Sequence, residues 1–307
     1  MLTIKPLSDC TLEQSLQVWN EGFKGYFSDM TMTMDRYLQR FVHEGLTPDA
    51  SVVAFDGKKP VGFVLNGIRT VNGIKISWNG GTGVVPEYRR KGVGRELVAA
   101  SLEVYGQNDV DIAYLEAIAA NETAIRLYER MGYRVTDYLT SLQHIGPLNE
   151  CLFASSSFQD YDGRVGPARA VADLEFYRGM GPWQSQWQSI SGGESLIVYD
   201  KSGNALGYAL YRQHYDEAGK LVAIALYQCE AAPDRTNQND VICYMLHRVY
   251  SPLEHDCRRF MVNILTSATP LKAALTHAKF TTLWEQVFMN RPMKARYEDG
   301  AESFSRI

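Results

Sequence analysis

The fold of this 307-residue chain is decided by one stretch, Val84-Val85-Pro86-Glu87-Tyr88-Arg89-Arg90-Lys91-Gly92-Val93-Gly94-Arg95-Glu96-Leu97-Val98. Residues 74–85 are β-branched and rich in glycine, which favours a strand, and residues 95–102 have the apolar spacing of a buried helix. The stretch therefore joins the carboxyl end of a strand to the start of a helix. At such a junction the free backbone N–H groups and the helix dipole suit a phosphate group.

Glycines and basic side chains indicate which ligand this loop binds. Gly92 and Gly94 lack the Cβ atoms that would keep a pyrophosphate away from the backbone amides. Positive charge for a polyanionic ligand comes from Arg89, Arg90, Lys91 and Arg95. A Gly-x-Gly turn alone is weak evidence, because an ordinary strand-to-helix turn can contain one. The loop is not a Walker loop, since no Gly-Lys-Ser/Thr follows, and the third glycine of a dinucleotide fingerprint is missing.

A second pattern follows after the length of one helix and one strand. Residues 113–118 favour a strand, and the chain continues as Asn121-x-x-Ala124-x-x-Leu127-Tyr128-x-x-x-Gly132-Tyr133. Asn121 is suited to cap a helix that has its larger side chains on one side, and Gly132 is suited to end it. The two patterns have different local causes, so their occurrence together is unlikely to be a coincidence.

Together the two patterns resemble the GCN5-related N-acetyltransferases. Arg89, Gly92 and Gly94 fill motif A of that family, Gln/Arg-x-x-Gly-x-Gly/Ala, and the second pattern resembles motif B, whose tyrosine corresponds to Tyr128. The resemblance implies an α/β fold with a mixed, mostly antiparallel sheet flanked by helices. It also implies transfer of an acetyl group from acetyl-CoA to an amine.

The second half of the chain repeats the plan of the first. Pro86 corresponds to Pro233 and Tyr133 to Phe280, both with a shift of 147 positions. We therefore expect two tandem domains of this family, the first at 1–147 and the second at 148–307. Residues 155–166 of the second domain read as irregular, polar structure.

The second copy has lost the residues that carry the chemistry of the first. Under the same register, the positions of Arg89, Gly92, Gly94 and Tyr128 are occupied by Thr236, Asn239, Val241 and Leu275. Without glycines the amides cannot approach a pyrophosphate, and leucine has no proton to give. We expect a degenerate copy with a structural role; binding of an effector or acceptor there is the alternative.

The resemblance assigns roles to the residues of both motifs in the first domain. The backbone near Val84 would engage the pantetheine arm and the acetyl carbonyl. Tyr128 is the candidate general acid, since a phenol with a pKa near 10 is protonated at neutral pH and can donate to a thiolate. A packed tyrosine with a satisfied hydroxyl is the alternative. The residues expected to bind acetyl-CoA are Val84, Val85, Arg89, Arg90, Lys91, Gly92, Val93, Gly94, Arg95, Asn121, Ala124 and Tyr128.

The general base and the acceptor pocket are less specified. Glu116, on the strand before Asn121, could take the proton of the amine; a structural hydrogen bond is the alternative, and solvent could also serve as the base. An aromatic and methionine-rich pocket suits an amine on an apolar body, although plain core packing explains such residues as well. The residues expected to contact the acceptor are Trp19, Phe23, Tyr26, Phe27, Met30, Trp78 and Asn79.

Composition excludes several other classes of protein. The net charge of −4 argues against general nucleic-acid binding, and no apolar run is long enough to span a membrane. The amino end lacks the layout of a signal peptide, and the five scattered cysteines read as reduced thiols, so we expect a cytoplasmic protein without a metal.

The expected partner is a small-molecule primary amine, and the expected assembly is a monomer or a homodimer. Acetylation of a protein or peptide amine is one alternative function. A non-catalytic acyl-CoA sensor is the other.

Overall fold

The computed structural model describes residues 2–153, 156–233 and 235–295. The chain divides into two compact units. Unit 1 comprises Met1–Thr136 and Val287–Ile307, and unit 2 comprises Asp137–Gln286. Among the described residues, no helix combines the length and the hydropathy that crossing a membrane requires.

Unit 1 contains an α/β arrangement in which a mixed sheet carries helices. Its elements in chain order are β1 (Leu2–Pro6), α1 (Leu12–Gly22), α2 (Met34–Glu44), β2 (Val52–Asp56), β3 (Lys59–Val71), β4 (Ile74–Val84), α3 (Val93–Gln107), β5 (Ile112–Ile118), α4 (Glu122–Arg130) and the start of β6 (Arg134–Ile145). The strands β1 to β4 pair antiparallel in sequence order, and β5 then pairs parallel to β4. This mixed sheet with flanking helices is the predicted fold class.

Local sequence signals account for where the helices of unit 1 begin and end. Thr11 caps α1 in a reciprocal capping box with Gln14, and Thr33 caps α2. Asn121 caps α4 by accepting a hydrogen bond from the Ala124 amide, as predicted. Gly132, just after α4, has a φ of +86°, a conformation that side chains other than glycine rarely adopt.

Unit 2 repeats this order with one replacement. Its elements are the remainder of β6, then β7 (Asp162–Pro167), β8 (Glu194–Tyr199), β9 (Ala205–Tyr215), β10 (Leu221–Ala231), α5 (Gln238–Tyr250), β11 (Arg258–Leu265), α6 (Thr269–His277) and the start of β12 (Thr281–Pro292). Between β7 and β8, short 3-10 turns take the place that α1 and α2 have between β1 and β2. The prediction of irregular structure at 155–166 was wrong from Asp162 onward, because these residues pair with β8.

The same irregularity in both units confirms the tandem copy. In β4, the pairing with β3 shifts register around Gly80, and in β10 the pairing with β9 shifts around Tyr227, again 147 positions later. Parallel pairing with the next strand also stops at corresponding residues, at Asn79 in β4 and at Leu226 in β10. The local distortion that separates two strands has therefore been kept in both copies.

The boundaries of the compact units differ from the predicted boundary between residues 147 and 148. Only the first residues of β6, up to Thr136, belong to unit 1. The last residues of β12, from Val287 onward, also belong to unit 1. The reason is packing: the Phe288 ring stacks on Tyr114 at 5.2 Å, and Met289 is fully buried in the same core as Tyr128. Residues near the end of the chain thus complete the core of unit 1.

Candidate active site

The amino end of α3 offers free backbone donors. Gly92 caps this helix at a φ of +86° without a side-chain cap bond in the described structure, whereas α1, α2 and α4 each have one. The first amide of α3 with an intrahelical acceptor is that of Glu96, which donates to the Gly92 carbonyl at 3.1 Å. The amides of Val93, Gly94 and Arg95 precede it and have no acceptor in the helix. This end of the helix is suited to an anion.

Gly94 stands where three elements meet. A Cβ atom added there would lie 3.4 Å from Leu127 Cδ2 on α4 and 3.8 Å from Val84 Cγ2 on β4. Nothing lies within 4 Å of a Cβ added at Gly92, where the positive φ is the reason for glycine. The two glycines of motif A therefore have different roles. Gly92 forms the turn, and Gly94 leaves the backbone amides accessible towards the end of β4.

The basic side chains of the loop divide into two groups. Arg89 was predicted to supply positive charge for the ligand, but its Nε donates to the Val84 carbonyl at 2.9 Å and its Nη2 donates to the carbonyls of Gly22 and Lys24 at 3.0 and 2.6 Å. It connects the loop to the end of α1. The other three basic side chains, Arg90, Lys91 and Arg95, are exposed, and Arg95 forms an ion pair with Glu96 at 3.0 Å.

A gap between β4 and β5 begins where their pairing ends, at Asn79 and Leu115. Val85 donates its N–H to the Val61 carbonyl on β3 at 2.9 Å. Because strand N–H groups alternate in direction, those of Val84 and Thr82 point to the opposite edge, into the gap. An amide that faces such a gap can stabilise an oxyanion that develops on a bound carbonyl.

Tyr128 on α4 reaches this gap. Tyr128 is 7 % exposed, and its hydroxyl lies near the side chains of Thr82 and Asn79. Burial raises the pKa of Tyr128 to about 12, although these two polar side chains act in the opposite direction. The phenol is therefore protonated at neutral pH. The structure thus shows a packed tyrosine whose hydroxyl keeps its proton at neutral pH.

A second phenol lies beside the first. Tyr26, in the segment between α1 and α2, lies near the side chain of Asn121, and burial raises its pKa. A charge on Tyr26 would raise the pKa of Tyr128, so the two rings are electrostatically coupled. Tyr26 was predicted to contact the acceptor, and the structure brings it to the start of α4, next to the predicted acid.

The other predicted acceptor residues are only partly brought together. Trp19 is 0 % exposed and Trp78 is 3 % exposed, so both belong to the core and cannot contact an acceptor in this structure. Trp19 donates from Nε1 to the Met30 carbonyl at 2.7 Å. Phe27 is 58 % exposed and its ring packs against Tyr26 at 5.2 Å. Two further residues lie beside this group: Phe23, whose ring contacts Tyr26, and Asn79, which is buried.

Glu116, the predicted base, makes the structural hydrogen bond that was its alternative. Its Oε2 accepts from Nε1 of the Trp78 indole at 2.6 Å. The contact joins β4 and β5 at the point where the gap opens.

Sequence reasoning missed Thr82. It lies two residues before Val84 on β4, so strand alternation alone puts its side chain on the same face as that of Val84. Its hydroxyl accepts from Asn79 Nδ2 at 2.9 Å and also reaches Tyr128. The alternation of side chains along β4 is therefore the sequence signal that could have identified Thr82.

In unit 2, polar side chains stand where β4 has glycines. Gln228 and Glu230 of β10 stand 147 positions after Gly81 and Gly83 of β4. Glu230 forms an ion pair with Arg178 at 3.4 Å, and Gln228 donates to the Arg178 carbonyl at 3.2 Å. Burial raises the pKa of Glu230.

The helix end in unit 2 is also unsuited to a pyrophosphate. The cavity beside the start of α5 has a volume of about 400 Å³ and contains more carboxylates than cations. Its lining consists of Asp160, Tyr161, Asp200, Lys201, Ser202, Leu206, Arg235, Asn237 and Asp240. Leu275, at the position of Tyr128, is 0 % exposed.

Comparison with known proteins agrees with the geometry of unit 1. Residues 14–133 match the model of the acetyltransferase (GNAT) family. Among curated proteins, the chain is 30 % identical over 135 residues to N-alpha-acetyltransferase 30 of Schizosaccharomyces pombe (strain 972 / ATCC 24843). The matched region covers 43 % of this chain and 84 % of the relative.

Solved structures resemble the whole chain. A GCN5-related N-acetyltransferase from Sphaerobacter thermophilus is 13 % identical with a TM-score of 0.66, and the match covers 95 % of this chain and 96 % of that one. A tandem GNAT protein from the clavulanic acid biosynthesis pathway is 13 % identical with a TM-score of 0.60, covering 96 % and 99 %. At such identities the similarity shows the fold alone, and here it extends over both units.

Proposed function

This chain belongs to the GNAT family of acetyltransferases, and from that premise we propose that unit 1 transfers an acetyl group from acetyl-CoA to a small-molecule primary amine. The observation that carries the proposal is the placement of Tyr128. Its hydroxyl lies at the edge of the gap between β4 and β5, and the uncapped end of α3 lies beside the same gap. A donor for a sulfur and a site for a diphosphate thus border one opening.

The diphosphate of acetyl-CoA binds the amides of Gly92 to Arg95, with positive charge from Arg90, Lys91 and Arg95 around it. The pantetheine arm enters the gap past Gly94, where the missing Cβ leaves space between Leu127 and Val84. The amide of Thr82 or Val84 then faces the acetyl carbonyl.

The chemistry is a direct attack within a ternary complex. The neutral amine nitrogen forms a bond with the carbonyl carbon, and the electron pair of the breaking C–S bond goes to the sulfur. The nitrogen loses one proton to water or to a base, and the sulfur gains one from the Tyr128 hydroxyl, so the products are an amide and a thiol. Since the pKa of Tyr128 is about 12, the proton is available at neutral pH.

Unit 2 supports unit 1 and does not catalyse in this proposal. Gln228 and Glu230 contact Arg178 where unit 1 has Gly81 and Gly83, the helix end of unit 2 is lined by carboxylates, and the position of the acid is a buried leucine. It supplies the chain that leads into β12, whose residues from Val287 onward pack in the core of unit 1.

A second candidate acceptor is the α-amino group of a peptide. The observation in its favour is the similarity to N-alpha-acetyltransferase 30, of which this chain covers 84 %. Phe27 and Tyr26 could pack against either acceptor, because both a small amine and a first residue present an amino group on an apolar body.

The test is Tyr128→Phe, with Tyr114→Phe as the matched control. Tyr114 is also buried in unit 1, and burial raises its pKa as it does for Tyr128. The proposed mechanism assigns no role to the Tyr114 hydroxyl. Thiol release from acetyl-CoA is measured with two pools, small primary amines and peptides with free amino termini.

We expect Tyr128→Phe to lower kcat by about a hundredfold or more and Tyr114→Phe to leave it unchanged. Equal activity of both variants would refute the role of Tyr128 as the general acid. A non-catalytic sensor would bind acetyl-CoA and release no thiol with either pool. If only the peptide pool yields an acetylated product, the acceptor is the α-amino group of a peptide and not a small-molecule amine.

A further inference from the structure

Gly80 is the residue at which β4 departs from its regular pairing with β3. Leu65 pairs with Gly81 and Asn66 with Asn79, so Gly80 lies between them without a partner in the ladder. A Cβ atom at this position would come within 2.6 Å of the Trp78 ring, so only glycine fits. A β-bulge of this kind leaves a carbonyl without its ladder partner.

Arg40 of α2 takes up that carbonyl. Its Nη2 donates to the Gly80 oxygen, its Nε pairs with Glu44 Oε2 at 2.6 Å, and its guanidinium lies over the Trp19 ring at 4.6 Å from the centroid. The side chain is only 12 % exposed. The guanidinium is thus held from three sides, and it fixes the bulge to α2.

The residues next to the bulge lie beside the phenol of Tyr128. Asn79 Oδ1 accepts from the Gly81 amide at 3.1 Å, and Asn79 Nδ2 donates to Thr82 Oγ1 at 2.9 Å. The same two side chains lie near the Tyr128 hydroxyl. A short path of contacts therefore runs from the Arg40 guanidinium through the backbone at Gly80 to the candidate acid.

We propose that Arg40 is a positioning residue that fixes the bulge at Gly80 and thereby holds Asn79 and Thr82 against Tyr128. This rests on the proposed function, in which Tyr128 is the acid. A bulge that loses its anchor can move along the strand, and a shift by one residue turns each side chain to the other face. Thr82 would then leave the phenol. The diphosphate site on α3 is not part of this path.

The test compares Arg40→Met with Arg40→Lys and with the control Arg36→Met, an exposed arginine one turn earlier on α2. We expect Arg40→Met to lower kcat by about tenfold or more while KM for acetyl-CoA stays within about twofold, because only the acid is displaced. Arg40→Lys keeps one donor for the carbonyl and recovers part of the loss. Arg36→Met matches the wild type.

A second readout does not depend on activity. The measurement is NMR spectroscopy of protein labelled with ring-¹³C tyrosine. The Cζ signal of Tyr128 is identified because it is absent from the spectrum of Tyr128→Phe. It should shift in Arg40→Met and stay in place in Arg36→Met. An unmoved signal, or kcat equal to that of Arg36→Met, would overturn the role of Arg40 and leave the proposed function intact.

Loss of folding in both Arg40 variants would also overturn the inference, since Arg40 would then be a residue of core stability. A wild type that transfers no acetyl group, with the signal shifted as expected, would refute the proposed function instead.

Discussion

Replacement of Gly94 by valine separates ligand binding from stability. A Cβ atom at this position meets Leu127 and Val84 at ordinary contact distances of 3.4 and 3.8 Å, so the fold itself has room for it. In a helix, valine is more favourable than glycine by about 0.3 kcal/mol, and contact of its methyl groups with Leu127 offsets this gain. We therefore expect the stability of Gly94→Val to stay within about 1 kcal/mol of the wild type.

Binding of coenzyme A should respond much more strongly. The added methyl groups occupy the space beside the amides that the diphosphate would use. Hydrogen bonds to a charged group contribute about 1.5–3 kcal/mol each. Because about 1.4 kcal/mol corresponds to a factor of ten, the loss of a single amide bond raises Kd by about 10-fold to 100-fold.

The matched control is Gly106→Val in the same helix. Nothing lies within 4 Å of a Cβ atom at Gly106, and its φ is not in the left-handed region, so this change has the same helical effect far from the loop. Calorimetric titration with coenzyme A and thermal melting are measured for both variants. Equal affinities in Gly94→Val and Gly106→Val would refute the placement of the diphosphate.

Further predictions concern stability. Arg259 is 0 % exposed and donates to the carbonyls of Tyr250, Gly146, His255, Pro252 and Leu253, so Arg259→Met should lower the free energy of unfolding by about 3 kcal/mol or more, as seen by denaturant titration. An unchanged denaturation midpoint would contradict this reading, and Arg259→Lys should be intermediate. Burial raises the pKa of Tyr128 to about 12, so its neutral form stabilises the fold fully below pH 10, and this contribution is lost as the pH rises towards 12. The melting temperature should therefore fall between pH 10 and pH 12, less steeply in Tyr128→Phe, and an identical slope in both proteins would refute it.

Much of unit 1 was predictable because its signals are local. The caps at Thr11 and Asn121, the turn at Gly92 and the helix end at Gly132 each depend on the conformational preferences of one or two residues. The tandem copy was predictable too, since corresponding prolines and aromatic residues keep their spacing. The sequence is thus informative wherever a structure is set by neighbours in the chain.

The rest depends on contacts between distant residues. Arg89 binds carbonyls of Gly22 and Lys24, more than sixty positions away, and no pattern near Arg89 indicates this. The same holds for residues from Val287 onward, which pack in unit 1. Trp19 and Trp78 were expected to contact an acceptor because aromatic side chains in a core and in a pocket look alike in a sequence; their burial decides between the two.

The central claim is that one opening holds the diphosphate at the end of α3 and the sulfur at the phenol of Tyr128. Crystals grown with coenzyme A measure this directly. We expect the diphosphate oxygens to accept from the amides between Gly92 and Arg95, and the sulfur to lie within about 4 Å of the Tyr128 hydroxyl. A diphosphate bound elsewhere, or a sulfur far from that hydroxyl, would contradict the account.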